Sequence, residues 1–157
     1  MFDEKATTPY AAALLRVALG VLFLAHGGLL KLGTFGLAGT MQFFGSIGYP
    51  PLLGAAVAFA EILGGLALIA GLWVRWVSLA LVPVLLGATL QHLPVPVLLG
   101  ATLQHLPAGW LFSAPGGGWE FPAFWTVALL VQAGLGAGAW ALYPARPAGA
   151  GPRAAAA

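Results

Sequence analysis

Four long apolar stretches constrain the fold of this chain more than any other feature. They cover approximately residues 10–32, 51–73, 74–93 and 121–143. At about 1.5 Å of rise per residue, each is long enough to cross a hydrocarbon core of about 30 Å as a helix. Of the 157 residues, 61% are hydrophobic and 6% are charged, which lies outside the range of water-soluble domains. The sequence therefore predicts an all-α integral membrane four-helix bundle, formed by one domain over residues 1–146.

The basic residues predict the orientation of this bundle. Lys5, Arg75, Arg146 and Arg153 fall on one side of the membrane if four spans alternate. By the positive-inside rule that side is cytoplasmic, so both termini are predicted to lie inside. The tail over residues 147–157 is rich in Ala, Gly and Pro without an apolar period, and we expect it to be disordered.

The first outer connection, GTFGLAGTMQFFGSIGYP, is too polar and too rich in glycine to span a membrane. Its apolar residues are compatible with a short helix that lies in the membrane interface. A plain loop with scattered apolar residues is the alternative, because an amphipathic pattern over so short a segment is weak evidence.

Thirteen residues occur twice in succession, VPVLLGATLQHLP at 82–94 and again at 95–107. Inside one helix, such an insertion moves everything downstream by about 20 Å and turns it by about 220°. Counting from Arg75, the first copy already fills the membrane. We therefore expect the second copy to form a short helix outside, which places His105 outside the membrane.

Two charged residues lie away from the ends of the predicted spans, Arg16 in the first and Glu61 near the middle of the second. Glu61 shares a helical face with Gly54, Ala58 and Gly65, a row of small residues that favours close helix packing. A buried acid needs a partner, a proton or water, and we predict Arg16 as its partner. The alternative for Arg16 is to extend to the cytoplasmic headgroups. A pair with Glu61 would either fix helix register or handle protons.

His26, His92 and Gln132 are the further polar side chains of the spans that we consider as candidates. His26 and His92 have matched depths near the outer boundary, so they are expected to face each other. Such a pair can ligate haem, hydrogen-bond a quinone head group or bridge two helices through water. Haem is the least favoured of the three, because no second histidine pair supports it. Gln132 is expected to hydrogen-bond between helices, and no metal site is predicted.

The composition excludes several classes of function. The chain has no cysteine, so it cannot itself perform dithiol exchange or hold a cysteine-ligated iron–sulfur cluster. Its basic residues are scattered rather than clustered, which gives no indication of nucleic-acid binding. The predicted partners are the lipid membrane and either other proteins or further copies of the chain.

From Arg16 to Leu142 the sequence resembles the DoxX family of small, four-helix bacterial inner-membrane proteins. The resemblance rests on R-x3-G-x2-F-x2-HG-x3-KL in the first span, FGxxGTxxFFxSxGxP at 35–50, E-x2-GG in the second span, HLPAGW at 105–110 and GGGWEFPAFW at 116–125. The duplication departs from the family pattern, which has one histidine in the third span, so either His92 or His105 corresponds to it.

The resemblance implies a multi-pass inner-membrane protein that serves a redox or oxidative-stress-related assembly with oxidoreductase partners. It also implies quinone chemistry, for which His26, His92 and Lys31 are the candidate binding residues. In this interpretation, Arg16, Glu61 and Gln132 organise the bundle. A non-catalytic membrane anchor or scaffold is the main alternative, and a small transporter is a third.

Overall fold

The computed structural model describes residues 4–92 and 120–143, and within these ranges the chain is helical without strands. The helices are α1 (Glu4–Leu24), a π-helix (Ala25–Thr34), α2 (Gly36–Ser46), α3 (Pro51–Ala70), α4 (Val74–His92) and α5 (Glu120–Leu135). The all-α prediction is confirmed for this part of the chain. The second copy of the duplicated segment, His105 and the predicted disordered tail lie outside the described residues.

Two helical segments are long and apolar enough to cross a membrane. Lys5–Thr34, which joins α1 to the π-helix, has 30 residues and a mean hydropathy of 1.9. Pro51–Ala70 has 20 residues and a mean hydropathy of 2.2. Val74–Thr89 and Glu120–Leu135 are also apolar, but they are shorter. Two of the four predicted spans are therefore both long enough and apolar enough to cross a membrane.

The fourth predicted span, 121–143, is wrong at its C-terminal end because α5 stops at Leu135. Gly136 and Gly138 follow with φ of 79° and 67°, a backbone conformation that ends a helix and that glycine adopts without strain. The chain then crosses the end of the bundle, where the Ala139 amide donates to the Pro9 carbonyl at 2.9 Å and the Leu142 amide donates to the Ala70 carbonyl at 3.0 Å. We call residues 136–143 the closing segment.

A tight turn joins α3 to α4 at the same end. Gly71 has φ of 74°, and the Leu72 amide bonds back to the Ala67 carbonyl at 2.9 Å, as in a Schellman motif. The turn places the start of α4 beside the end of α3. The start of α1, this turn and the closing segment consequently meet at one end of the bundle.

Small residues bring α1 and α3 into close contact. A Cβ atom on Gly20 would lie 2.8 Å from the Gly65 carbonyl oxygen, and one on Gly65 would lie 2.8 Å from the Gly20 oxygen. Glu61 is 4% exposed on the same face of α3, together with buried Gly54 and Ala58. The predicted row of small residues around the acid is therefore confirmed.

The polarity of the described bundle is inverted relative to a water-soluble protein. Arg16 is 2% exposed and Gln132 is fully buried, whereas Leu14 and Leu52 are 73% and 74% exposed. Apolar side chains cover the outside of every long helix. A surface of this kind favours lipid over water as its surroundings.

The predicted short helix in the first connection is confirmed as α2, and the alternative of a plain loop is wrong. One side of α2 packs on α3, where a Cβ on Gly54 would lie 3.0 Å from the Thr40 carbonyl oxygen. Phe35 and Phe43 are exposed on its other side. The helix therefore covers the N-terminal half of α3 and encloses the π-helix end of the bundle.

Candidate functional site

The π-helix carries Lys31 into an ion pair with Glu61 of α3. The Lys31 ammonium Nζ lies 2.8 Å from Oε1 and 2.7 Å from Oε2 of Glu61, so it donates to both carboxylate oxygens. The side chains of Lys31 and Glu61 are 18% and 5% exposed. Burial makes the pairing necessary, since either charge alone would lack solvation. The slightly exposed Lys31 is the member of the pair that a ligand can reach.

Two local features position this ion pair. Gly27 allows the π-helix to approach α3, because a Cβ there would lie 2.8 Å from the Ala58 carbonyl oxygen and 2.9 Å from the Glu61 Cβ. The Thr40 hydroxyl of α2 donates to the Lys31 carbonyl at 2.8 Å and fixes the backbone next to the ammonium. π-Helical turns are rare and are frequent at functional sites, and this one extends over 10 residues.

His26 lies at the start of the same π-helix, next to Gly27, where a Cβ would lie 2.9 Å from the Glu61 Cβ. Its Nδ1 atom lies 2.9 Å from the Leu22 carbonyl oxygen, which can only accept, so Nδ1 carries a proton. The imidazole packs against α5, with ring centroids 4.9 Å from Trp125 and 6.1 Å from Phe121. The Nε2 nitrogen is thus the one that remains for a ligand.

An aromatic cluster formed by Phe23, His26, Phe121 and Trp125 lies beside the ion pair. The Phe23 and Trp125 ring centroids are 4.5 Å apart, and those of Phe121 and Trp125 are 5.5 Å apart. The indole Nε1 of Trp125 is buried and has no hydrogen-bond partner among the described residues. The cluster therefore combines flat apolar surfaces with an indole N–H that can donate to an oxygen acceptor. The imidazole Nε2 accepts a hydrogen bond in the neutral ring and donates one only when both ring nitrogens are protonated.

The predicted pair between Arg16 and Glu61 is wrong. Arg16 donates from one terminal nitrogen to the Leu68 and Ile69 carbonyls at 3.1 and 3.0 Å, and from the other to the Ala139 carbonyl at 3.1 Å. The Leu68 and Ile69 carbonyls lie at the C-terminal end of α3 and carry partial negative charge, which a guanidinium satisfies. The alternative of extension to the headgroups is also wrong, because Arg16 is only 2% exposed.

Gln132 makes a different bond from the predicted one between helices. Its Nε2 donates to the Gly136 carbonyl at 2.7 Å, just after the end of its own helix. The bond satisfies one of the carbonyls that α5 leaves free at its C-terminus. Gln132 is fully buried inside the bundle.

The predicted contact between His26 and His92 lies outside what the structure describes. His92 is the last residue of α4, but its side chain is outside the described residues, and so is all of His105. The described ranges contain no group of three or more His, Asp or Glu residues placed to hold a metal ion.

Sequence reasoning missed the aromatic partners of His26 and the role of Lys31 as the partner of Glu61. Phe121 and Trp125 are four residues apart, so they share a face of α5, and that spacing was the available signal. The distance of Lys31 along the first span places it at the outer surface. Its side chain points back toward the helix N-terminus, which brings the ammonium to the depth of Glu61.

Comparison with known proteins identifies the family. The DoxX family model matches residues 11–94, which cover α1 to the end of α4 and include both members of the ion pair. A protein of Bacillus subtilis (strain 168) named "Putative oxidoreductase CatD" is 41% identical over 78 residues. That match covers 49% of this chain and 55% of the relative, so it spans about half the length of each. No solved structure matches. The family match extends over more than half of the residues, and the chain belongs to the DoxX family.

Proposed function

We propose that this protein is a multi-pass membrane subunit of a bacterial redox assembly and that it binds a quinone head group at the π-helix end. Membership of a membrane family and the name of the Bacillus relative support the redox association. The apolar exterior supports a bundle that crosses the inner membrane. The positions of Lys5 and Arg75 support an orientation with both termini inside. α4 and α5 then complete the four spans together with α1 and α3.

The observation that carries the quinone proposal is the position of the Lys31–Glu61 ion pair beside the aromatic cluster. A quinone presents a flat ring that packs on aromatic faces and two carbonyl oxygens that accept hydrogen bonds. The rings of His26, Phe121 and Trp125 supply the faces. Lys31 supplies a cation that stabilises the negative charge on the quinone oxygens during reduction, and Glu61 keeps this cation inside the bundle.

Histidine supplies the second polar contact. His26 has its Nδ1 proton fixed by the Leu22 carbonyl, which orients the ring. Nε2 then accepts from the hydroxyl of the reduced quinol when the ring is neutral, and donates to a quinone oxygen when both ring nitrogens are protonated. His92, at the end of α4, remains a proposed third contact. The electrons come from a partner protein in this proposal, because the chain has no cysteine and no recognisable nucleotide fingerprint.

Quinone binding can be measured with the purified protein in lipid nanodiscs, using decylubiquinone and menadione as probes and tryptophan fluorescence quenching as the signal. His26→Phe keeps the aromatic contact but removes the ring nitrogens, and we expect it to raise the Kd at least about tenfold. The double variant Lys31→Met with Glu61→Gln removes both charges together and should weaken binding similarly. Lys5→Met removes a cation at the other end of α1 and should leave the Kd unchanged.

The same experiment tests the alternative of a non-catalytic scaffold. Arg16 favours that alternative, because its contacts only hold backbone segments together. If neither probe binds, or if both site variants bind like the unaltered protein, the quinone proposal is wrong. Co-purification of partner proteins with the site variants would then assign the chain to the scaffold class.

A further inference from the structure

A second polar site lies near the closing segment, remote from the aromatic cluster. Three buried side-chain atoms there have no hydrogen-bond partner among the described residues: Arg16 Nε, Ser78 Oγ and Gln132 Oε1. They belong to α1, α4 and α5, and these residues are 2%, 0% and 0% exposed. Buried polar atoms rarely remain unsatisfied, so three within one short helix bundle call for a common explanation.

The helix register places Arg16 and Gln132 at the same level. Phe23 of α1 and Trp125 of α5 are in ring contact at 4.5 Å. Arg16 precedes Phe23 by seven residues and Gln132 follows Trp125 by seven residues. Seven residues are about two helical turns. Arg16 therefore lies on the same face of α1 as Phe23, and Gln132 lies on the same face of α5 as Trp125, each about 10 Å nearer the closing segment than its aromatic residue.

Ser78 lies at this level as well. Leu81 of α4 packs on α3 at Gly64, where a Cβ would lie 2.8 Å from its side chain. Ser78 is about one turn before Leu81, and Leu68 is about one turn after Gly64 on the antiparallel helix. The Leu68 carbonyl is itself a partner of Arg16 at 3.1 Å. Arg16, Ser78 and Gln132 thus point into one layer of the core.

The hydrogen-bonding capacities of the three atoms are complementary. Arg16 Nε–H can only donate. Gln132 Oε1 can only accept, because the same amide donates from Nε2 to the Gly136 carbonyl. Ser78 Oγ can do both. Thr89 and Thr126 use their hydroxyls to bond the carbonyl four residues earlier, at 2.7 and 2.8 Å, whereas Ser78 does not.

We propose that Arg16, Ser78 and Gln132 form a buried binding site for a water molecule that links α1, α4 and α5. The water accepts from Arg16 Nε, donates to Gln132 Oε1 and exchanges a hydrogen bond with the Ser78 hydroxyl. Three polar partners are the usual complement of a buried water. Arg16, which is already bonded to α3 and to the closing segment, thereby connects all four long helices.

Water-edited solid-state NMR on the protein in lipid bilayers, labelled with ¹⁵N-arginine, tests this site. Arg16→Lys assigns the Arg16 Nε signal by its loss. We expect magnetisation transfer from water to Arg16 Nε–H in the unaltered protein, despite burial of the side chain. Absence of transfer in that sample alone would overturn the proposal, so the test does not depend on any variant folding.

Two substitutions then identify the partners. Ser78→Ala and Gln132→Met keep the approximate size of each side chain and remove its free polar atom. Combined, they should reduce the water transfer at Arg16 Nε at least about threefold, because a buried water needs two or more polar partners. Ser46→Ala is the matched control, since Ser46 is exposed on α2 and bonds the Phe43 carbonyl. Undiminished transfer in the double variant would also overturn the site.

Discussion

Arg16 and Lys31 are both cations inside the described bundle, but their partners differ in kind. Arg16 bonds three backbone carbonyls, whose dipoles are fixed by the fold. Lys31 bonds a single carboxylate, Glu61, through its side chain. The first arrangement can open only if α3 or the closing segment moves. The second can open by rotation of one lysine side chain, which makes the π-helix end the one suited to exchange partners with a ligand.

The largest loss of stability is expected for Arg16→Leu. The variant leaves the carbonyls of Leu68, Ile69 and Ala139 without their charged donor, and we expect a loss of about 3–5 kcal/mol in the free energy of unfolding. Denaturant unfolding in detergent micelles measures it. Arg75→Leu serves as the control, because Arg75 is exposed in the first turn of α4. Equal stabilities of the two variants would mean that the backbone contacts of Arg16 contribute little.

Glu61→Ala should follow, with a loss of about 2–3 kcal/mol, since it leaves the Lys31 ammonium without a counterion. The expected loss is smaller than for a fully enclosed charge, because the Lys31 side chain is 18% exposed. A second substitution distinguishes the Lys31 site from the Arg16 site. Adding Lys31→Met removes the stranded charge and should restore most of the stability, whereas it should not restore Arg16→Leu.

Rescue by Lys31→Met is therefore the diagnostic measurement for the ion pair, obtained from the same unfolding experiments as a double-mutant cycle. If Glu61→Ala and Lys31→Met were additive, the two side chains would act independently. That result would remove the pair as the basis of the candidate site.

Gly27→Ala tests how closely the π-helix must approach α3. The new methyl group would lie 2.8 Å from the Ala58 carbonyl oxygen, so the helices must separate, at an expected loss of about 1–3 kcal/mol. Gly28→Ala is the matched control at the next residue, where a Cβ meets no atom within 4 Å. Thermal unfolding should leave Gly28→Ala within about 0.5 kcal/mol of the unaltered protein or slightly above it. Equal losses would show that the effect belongs to glycine in the π-helix and not to the contact.

The length of the apolar stretches was sufficient to predict long helices, and the helical repeat predicted the buried side of one of them. Gly54, Ala58, Glu61 and Gly65 share a face of α3, and that face is buried. The helix α2 was one of two alternatives, because an amphipathic pattern over so short a segment is weak evidence.

The identity of the ion pair could not be predicted in this way. The depth of each side chain in the membrane was counted from the helix ends with the rise of an ideal α-helix. The chain instead adopts a π-helix from Ala25, and the Lys31 side chain extends toward the start of that helix to contact Glu61. The end of α5 was missed because the apolar pattern continues to Tyr143, whereas Gly136 and Gly138 end the helix. A tertiary contact decided the ion pair, and no single-sequence pattern carries it. The end of α5 was visible in the sequence as Gly136 and Gly138, but the apolar length was given more weight.

The smallest effect is expected for Thr40→Val, which removes the bond from the Thr40 hydroxyl to the Lys31 carbonyl and costs about 1 kcal/mol. This substitution is informative because it shows which part of the chain loses protection from hydrogen exchange. If α2 secures only the Lys31 segment, amide hydrogen exchange should accelerate in the π-helix and α2, while α1 near Arg16 stays protected. Ser46→Ala, an exposed hydroxyl at the end of α2, should leave both regions unchanged. Faster exchange at both ends of the bundle would mean that the two cation sites open together, and the contrast between a fixed end and an exchangeable end would fail.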